Sequence, residues 1–355
     1  MANENINFPN ANSRNLYMMS KSELVSRLDP RGKIADIAEI LTQSNEILLD
    51  MEFKESNLLE GMQVTLRTGL PKAYWKQINR GVPPSKSSTA QVVEASGIME
   101  SWSKTDADLV EMNGNTKEFR LSEDKPHIEA MNQMMSSSLI YGDATDSKEG
   151  FNGLECRYNT LNESVLSSKN VVDAGGAGDK LTSVYIVAWG DNVFGFYPKG
   201  STAGLQVEDK GKILTEDEDG FYFDAYVSKY RWAMGLCVKD WRYCARVCNI
   251  NVNDLRNGRG IGTADVKGAG TTNLILKIQE ALDKIPTQGR NRFAIYMNND
   301  VMSALNVLSA RQNSNVITLE SGMNKYGERE TWKTFAGIPL RRCDAILNAE
   351  KKVTA

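Results

Sequence analysis

A chain of 355 residues, 41% apolar and 25% charged, can bury a sizeable core divided over two or more lobes. Its formal charge of -3, from 42 basic and 45 acidic residues, excludes a dedicated nucleic-acid binder, which needs a clear cationic excess or stripe to hold phosphate. No apolar run approaches the roughly 18 residues of a membrane span, and MANENINFPN has neither the basic start nor the apolar core of a signal peptide, so a soluble protein made in a cytoplasm, with no membrane partner, is expected.

The segment before residue 61 is polar and then helical. Ser20 caps a short helix that ends before Pro30, and Ile34, Ile37, Ala38, Leu41, Leu48 and Leu49 keep an amphipathic period, interrupted near Ser44 and Asn45. Read alone, this suits either an arm that lies on something else or an ordinary helical subdomain. From Gly61 to Trp102 the character changes to MQVTLRTGL, then PKAYWKQINRGVPPSKSS, then TAQVVEASGIMESW. Flanks rich in Val, Thr and Leu around a centre of Gly, Pro, Ser and Lys predict two strands joined by a long polar excursion. Such excursions are uncommon in compact domains, where most connections take roughly 4 to 6 residues. Lys72, Trp75, Lys76, Arg80 and Lys86, with Tyr74 among them, suit contact with nucleic acid or a neighbouring subunit. Lysine and proline also protect exposed strand edges, so the charge run alone leaves both readings open.

Leu121-Ser122-Glu123-Asp124 supplies a cap and an acidic first turn, with Pro126 close to that end, and predicts a helix over 123–141. Ile128, Met131, Met135 and Leu139 form its core stripe, ending at Gly142. At 1.5 Å per residue this helix is roughly 30 Å long, enough to cross a domain. A polar, glycine-bearing connector follows. Val184–Trp189 and Val193–Tyr197, across Gly190-Asp191-Asn192, predict a hairpin, and further strands are expected over Phe221–Val238 and Arg242–Ile250. Leu274, Ile275, Ile278, Ala281, Leu282 and Ile285 make an amphipathic helix opened by Thr271 or Thr272 and stopped by Pro286. Arg292–Met297 reads as a strand, Asn298 or Asn299 caps a helix carrying Val301, Met302, Leu305 and Leu308, and VITLE through TWKTFAGIPLRRCDAIL alternates as strands around turns. No repeat period is present. The fold class is α+β with segregated parts.

The search for chemistry assigns no residue. His127, the single histidine, removes most triads, histidine-bearing zinc sites and base relays. Cys156, Cys237, Cys244, Cys248 and Cys343 form no C-x-x-C pair and read as reduced core thiols. GRGIGTADVKGAG, from Gly258 to Gly270, has G-x-G-x-G but no G-K-[ST] and reads as a loop. Glu216 to Gly220 is acidic but lacks the EF-hand spacing. A carboxylate pair for glycoside hydrolysis draws on any two acids in the chain, and nothing selects a pair. The expectation is no catalytic residue, no cofactor and no metal.

Three phrases, LPKAYWKQINRGVPPSKSSTAQV (70–92), DLVEMNGNTKEFRLSEDKPHIEAMNQMM (108–135) and FAGIPLRRCDAIL (335–347), together with the order of parts, resemble the major capsid proteins of tailed bacteriophages with the Hong Kong 97 type fold, in particular those of short-tailed phages of the epsilon-fifteen kind. The likeness spans nearly the full chain. It implies an N-terminal arm (1–60), an extended hairpin loop (61–102), a peripheral domain (103–180) with its spine helix at 123–141, an axial domain with returning peripheral strands (181–347) and a C-terminal tail (348–355). It further implies a non-enzymatic subunit that joins copies of itself as hexamers and pentamers in an icosahedral shell around double-stranded DNA, assembled in the host bacterial cytoplasm. The expected partners are a portal, a decoration protein, packaged DNA through weak nonspecific contacts and, because the long charged N-terminal extension of some relatives is absent, a separate scaffolding protein. Lys72, Trp75, Lys76, Arg80 and Lys86 are the expected inter-subunit contacts, and no lysine–asparagine crosslink can be matched. Two rivals stay open at this point: an encapsulin-type compartment with protein cargo, and an unrecognised hydrolase.

Overall fold

The computed structural model describes residues 43–59, 61–112, 116–145, 150–216, 220–256, 274–286, 292–312, 317–323 and 329–355. These fall into two compact units, one of Met99–Met131 and Leu205–Trp232, the other of Gln43–Ile98, Asn132–Gly204 and Ala233–Ala355. In chain order, α1 (Ile47–Asp50) and β1 (Phe53–Glu55) precede β2 (Gly61–Gly69), β3 (Ser88–Ala95), β4 (Gly97–Asp106), α2 (Ala107–Met112) and α3 (Thr116–Tyr141). There follow β5 (Val171–Asp173), β6 (Leu181–Trp189), β7 (Val193–Tyr197), β8 (Leu205–Glu216), β9 (Tyr222–Val238), β10 (Cys244–Asn251) and α4 (Val252–Arg256). The described chain continues with α5 (Leu274–Asp283), β11 (Arg292–Met297), α6 (Asn299–Gln312), β12 (Ile317–Met323), β13 (Arg329–Phe335) and β14 (Ile338–Arg342).

In the larger unit β6 carries no charge, and all nine of its residues are buried, as expected for a strand covered on both faces. Antiparallel β10 takes one of its edges (Val247↔Val184) and antiparallel β11 the other (Ile295↔Ile186). The described sheet runs β12-β13-β14-β11-β6-β10-β5. Helix α5 buries Leu274, Ile278 and Ala281 and packs on β5, β6 and β10. The predicted cap of α6 is present, with the Val301 amide donating to Asn298 Oδ1 at 3.0 Å. The alternation after α6 becomes β12 to β14, where β13 and β14 turn through Ala336 and Gly337 at φ 49° and 80°, the doubly positive geometry that suits a two-residue hairpin. Cys237, Cys244, Cys248 and Cys343 are buried and Cys156 is half-buried, and all five are free thiols.

The hairpin expected from Val184–Trp189 and Val193–Tyr197 does not form. Both edges of β6 are already taken, so β7 leaves after a turn closed by the Gly190 amide on the Val193 carbonyl at 2.9 Å. It pairs instead in parallel with β1 (Phe53↔Gly195) and antiparallel with the end of β9 (Phe194↔Cys237).

In the smaller unit β8 pairs antiparallel with β9, with a bulge between Asp209 and Gly211. Leu109, Val110 and Phe119 form its apolar cluster, with Tyr226 packed against them. Phe119 explains why α3 starts at Thr116 and not at Glu123: its ring is buried, and that contact extends the helix past the local cap signal at Ser122. Pro126 therefore lies inside α3, where it cannot donate to the Ser122 carbonyl. Helix α3 has 26 residues and is about 39 Å long. It buries Met131, Met135 and Leu139 as expected, whereas Ile128 is 38% exposed. His127 stacks on Tyr230, with ring centroids 6.1 Å apart, and its Nδ1 shares a hydrogen bond with Ser101 Oγ at 2.8 Å. The helix capped by Ser20, the acidic residues 217–219, the glycine-rich loop 258–270 and the Thr271 or Thr272 cap lie outside the described residues.

Candidate functional site: the extended hairpin and a buried polar hub

Strands β2 and β3 form a two-stranded sheet by themselves, paired from Gly61↔Ala95 to Gly69↔Ser88 with a register shift between Arg67 and Gly69. Residues 97–106, expected as the continuation of the second strand, are a separate strand, β4, that neighbours β9. An isolated two-stranded ribbon is marginal in water, so its base must be fastened. Val64 enters a cluster with Phe194, Phe196 and Cys237, and Met62 and Leu66 pack beside it. Glu94 is buried and accepts two parallel bonds from Arg157, each 2.7 Å. Arg157 also reaches the carbonyls of Asn152 and Leu236 at 3.3 and 3.4 Å. Burial opposes the charge of Arg157, but the Glu94 carboxylate outweighs it and raises the guanidinium pKa. Asn57 closes the base, its side chain bonding both the amide and the carbonyl of Gln63 at 2.8 Å.

The tip has no such support. Every residue from Leu70 to Lys86 is exposed; Trp75 is fully so, Ile78 is 90% exposed and Leu70 79%. The described tip is held by the Arg80 amide on the Gln77 carbonyl at 3.2 Å and Ser85 Oγ on the Lys72 carbonyl at 2.8 Å. Asn79 takes φ 65°, a left-handed turn residue. Lys72, Trp75, Lys76, Arg80 and Lys86 thus lie together on the excursion between β2 and β3, all in solvent. Burying a side chain such as Trp75, Ile78 or Leu70 against a partner is worth about 1.5–3 kcal/mol, which the chain by itself leaves unused.

Sequence reasoning missed a second constellation, a hub in the larger unit. Arg246 on β10 is fully buried and donates to Glu350 at 2.9 Å, to Ser183 Oγ and the Tyr158 carbonyl at 3.0 Å, and to Glu155 at 3.4 Å. Glu350 also accepts from the Ser183 hydroxyl and from Tyr141 at 2.6 Å, while Tyr141 Oη accepts the Leu347 amide at 2.9 Å. Burial works against the Arg246 charge, but Tyr185, Glu350 and Glu155 together raise its pKa. Desolvation pushes Glu155 up, ahead of the opposing pull of Arg246, and burial next to Glu350 does the same to Tyr141. The segment after β14 is thereby tied to the end of α3 and to β6 and β10. Asn249 adds a second tie, accepting the Val353 amide at 2.8 Å and donating to the Val353 carbonyl at 3.0 Å. The signal for this hub in the sequence was an arginine set among the apolar residues Cys244, Ala245, Val247 and Cys248.

The family model for "Major capsid protein GP7" matches residues 29–354. A chain of the bacteriophage epsilon15 structure aligns over 97% of this chain and 100% of its own length, at 29% identity and a TM-score of 0.73. A chain of the bacteriophage JBD30 capsid aligns over 86% and 93%, at 12% identity and a TM-score of 0.47. No curated protein matches.

Proposed function

We propose, from the premise that this chain belongs to the major capsid protein GP7 family and is a shell protein of a tailed bacteriophage with the Hong Kong 97 type α+β fold, that the hairpin 61–95 is an arm that lies on an adjacent subunit. The observation that carries this reading is the contrast between its two ends, a base fastened by Glu94–Arg157 and the Val64 cluster and a tip whose Leu70, Trp75 and Ile78 are largely or fully exposed. Large apolar side chains left in water at the end of a built lever suit a surface completed by assembly. Lys72, Trp75, Lys76, Arg80 and Lys86 are its contact residues.

Residues 103–180, with the spine helix, are read as the peripheral domain, residues 181–347 as the axial domain with returning peripheral strands, and residues 1–60 as a second arm. Copies join as hexamers and pentamers into an icosahedral shell around double-stranded DNA, and many modest contacts accumulate through multivalency. Assembly takes place in the host cytoplasm with a separate scaffolding protein, a portal and a decoration protein. Contact with DNA is weak and nonspecific, in keeping with the charge of -3. The role is structural and not catalytic, which agrees with the packing of His127 between Ser101 and Tyr230. Family membership favours neither a protein-cargo compartment nor a hydrolase. Deletion of Arg80–Lys86 is the test: the subunit keeps its circular dichroism spectrum while electron microscopy finds few closed particles, and normal particles from the deletion refute the arm.

A further inference from the structure

The charge of the hairpin is as one-sided as its exposure. From Gly61 to Val93 the chain carries Arg67, Lys72, Lys76, Arg80 and Lys86 and not one aspartate or glutamate. The next carboxylate, Glu94, is buried and committed to Arg157. None of the five cations makes an ion pair with the described residues; by contrast Lys54, Arg120, Lys212, Lys229, Arg242 and Arg341 all do. The chain as a whole is nevertheless net -3, so everything outside the hairpin holds a clear excess of carboxylates. An all-cationic lever on an anionic body is complementary to another body of the same kind.

We propose that the hairpin is an electrostatically steered arm whose partner is the carboxylate-bearing surface of a second copy of this chain, so that the rate of subunit joining is set by ionic strength. This rests on the reading of the hairpin as an inter-subunit arm and adds what draws it to its neighbour. A second copy is favoured over DNA because Leu70, Trp75 and Ile78 are interleaved with the cations. A protein surface can bury these side chains, whereas a duplex seats them only by unstacking its bases, at a cost of roughly a few kcal/mol per step. Charge complementarity acts chiefly on association, raising it by about ten- to a thousandfold, and fades once the screening length falls below the distance over which the arm must be guided. The apolar tip then holds what the charges have delivered.

The experiment follows light scattering as the purified full-length chain, dissociated to subunits, is returned to assembly conditions between about 50 and about 300 mM salt. Wild type is expected to slow as salt rises. The fourfold variant Lys72→Gln, Lys76→Gln, Arg80→Gln and Lys86→Gln is expected to start about tenfold or more slower at the low-salt end and to lose most of the salt dependence. Its urea midpoint should stay at the wild-type value, because the four side chains are exposed and make no ion pair with the described residues. Trp75→Ser, which removes the apolar seat and keeps every charge, is expected to retain the salt slope and to yield particles that dissociate faster. If the fourfold variant assembles at the wild-type rate with the wild-type slope, or if wild type speeds up with salt, the steering is refuted while the arm stands on the Trp75→Ser result. If Trp75→Ser and the deletion of Arg80–Lys86 both leave shells normal, arm and steering fall together. If the fourfold variant assembles normally, and at low salt a short DNA duplex is shifted in gel electrophoresis by wild-type subunits but not by the variant, the partner is DNA and the proposal is overturned.

Discussion

Replacing Arg246 with leucine tests whether the hub holds the larger unit together. The guanidinium is fully buried and serves Glu350, Glu155, Ser183 and the Tyr158 carbonyl. Leucine fills part of the volume but removes the positive charge, leaving the buried Glu350 carboxylate, among the described residues, with the hydroxyls of Ser183 and Tyr141. Breaking a buried pair from one side costs about 3–5 kcal/mol. At a urea slope of about 2–3 kcal/mol/M the midpoint should fall by about 1–2 M. Adding Glu350→Gln, which keeps an acceptor for Ser183 and Tyr141 but removes the stranded charge, should recover a large part of the loss. Urea titrations of the three proteins decide the matter. A drop below about 0.3 M, far under what the loss of a buried pair requires, or a double variant no better than the single, refutes the reasoning.

Three further outcomes are expected. Asn249 stands at φ 57°, a conformation glycine adopts freely, so Asn249→Gly should keep the backbone yet lose both bonds to Val353. Hydrogen exchange read by mass spectrometry should then be faster across 350–354 by about tenfold or more, the two lost hydrogen bonds together being worth about 1–3 kcal/mol, and unchanged exchange argues against the tie. Burial pushes the thiols of Cys244, Cys248 and Cys343 up to about 12 and that of Cys237 up to about 11, so at pH 8 a disulfide reagent should quickly reach at most half-buried Cys156 and should count all five only after denaturation; two or more fast thiols in the native chain contradict this packing. At Gly142 a Cβ would collide with the carbonyl oxygens of Phe151 and Ser138, so Gly142→Ala should cost about 1–3 kcal/mol and lower the calorimetric midpoint by several degrees, whereas an unchanged midpoint shows that the end of α3 can yield.

What local chemistry encodes was legible before any coordinates. The uncharged run of β6, the Asn298 cap, the strands flanking the Pro- and Lys-rich excursion and the end of α3 at Gly142 are each specified within a window of a few residues, because periodicity, capping and turn preference act over that range. The family resemblance added an assembly role to the excursion, a role that no residue spacing announces. The tertiary structure decided which strand edges were free, and so sent β7 to β1 and β9 in place of β6. It decided that Phe119 would find Leu109 and Val110 and draw the start of α3 back to Thr116. It also took Glu350, which the sequence presents as an ordinary acid in a tail, and buried it against Ser183 and Arg246, 167 and 104 positions away. Pairing and the burial of a single charge depend on partners distant in the chain, and a window of neighbouring residues carries no record of them.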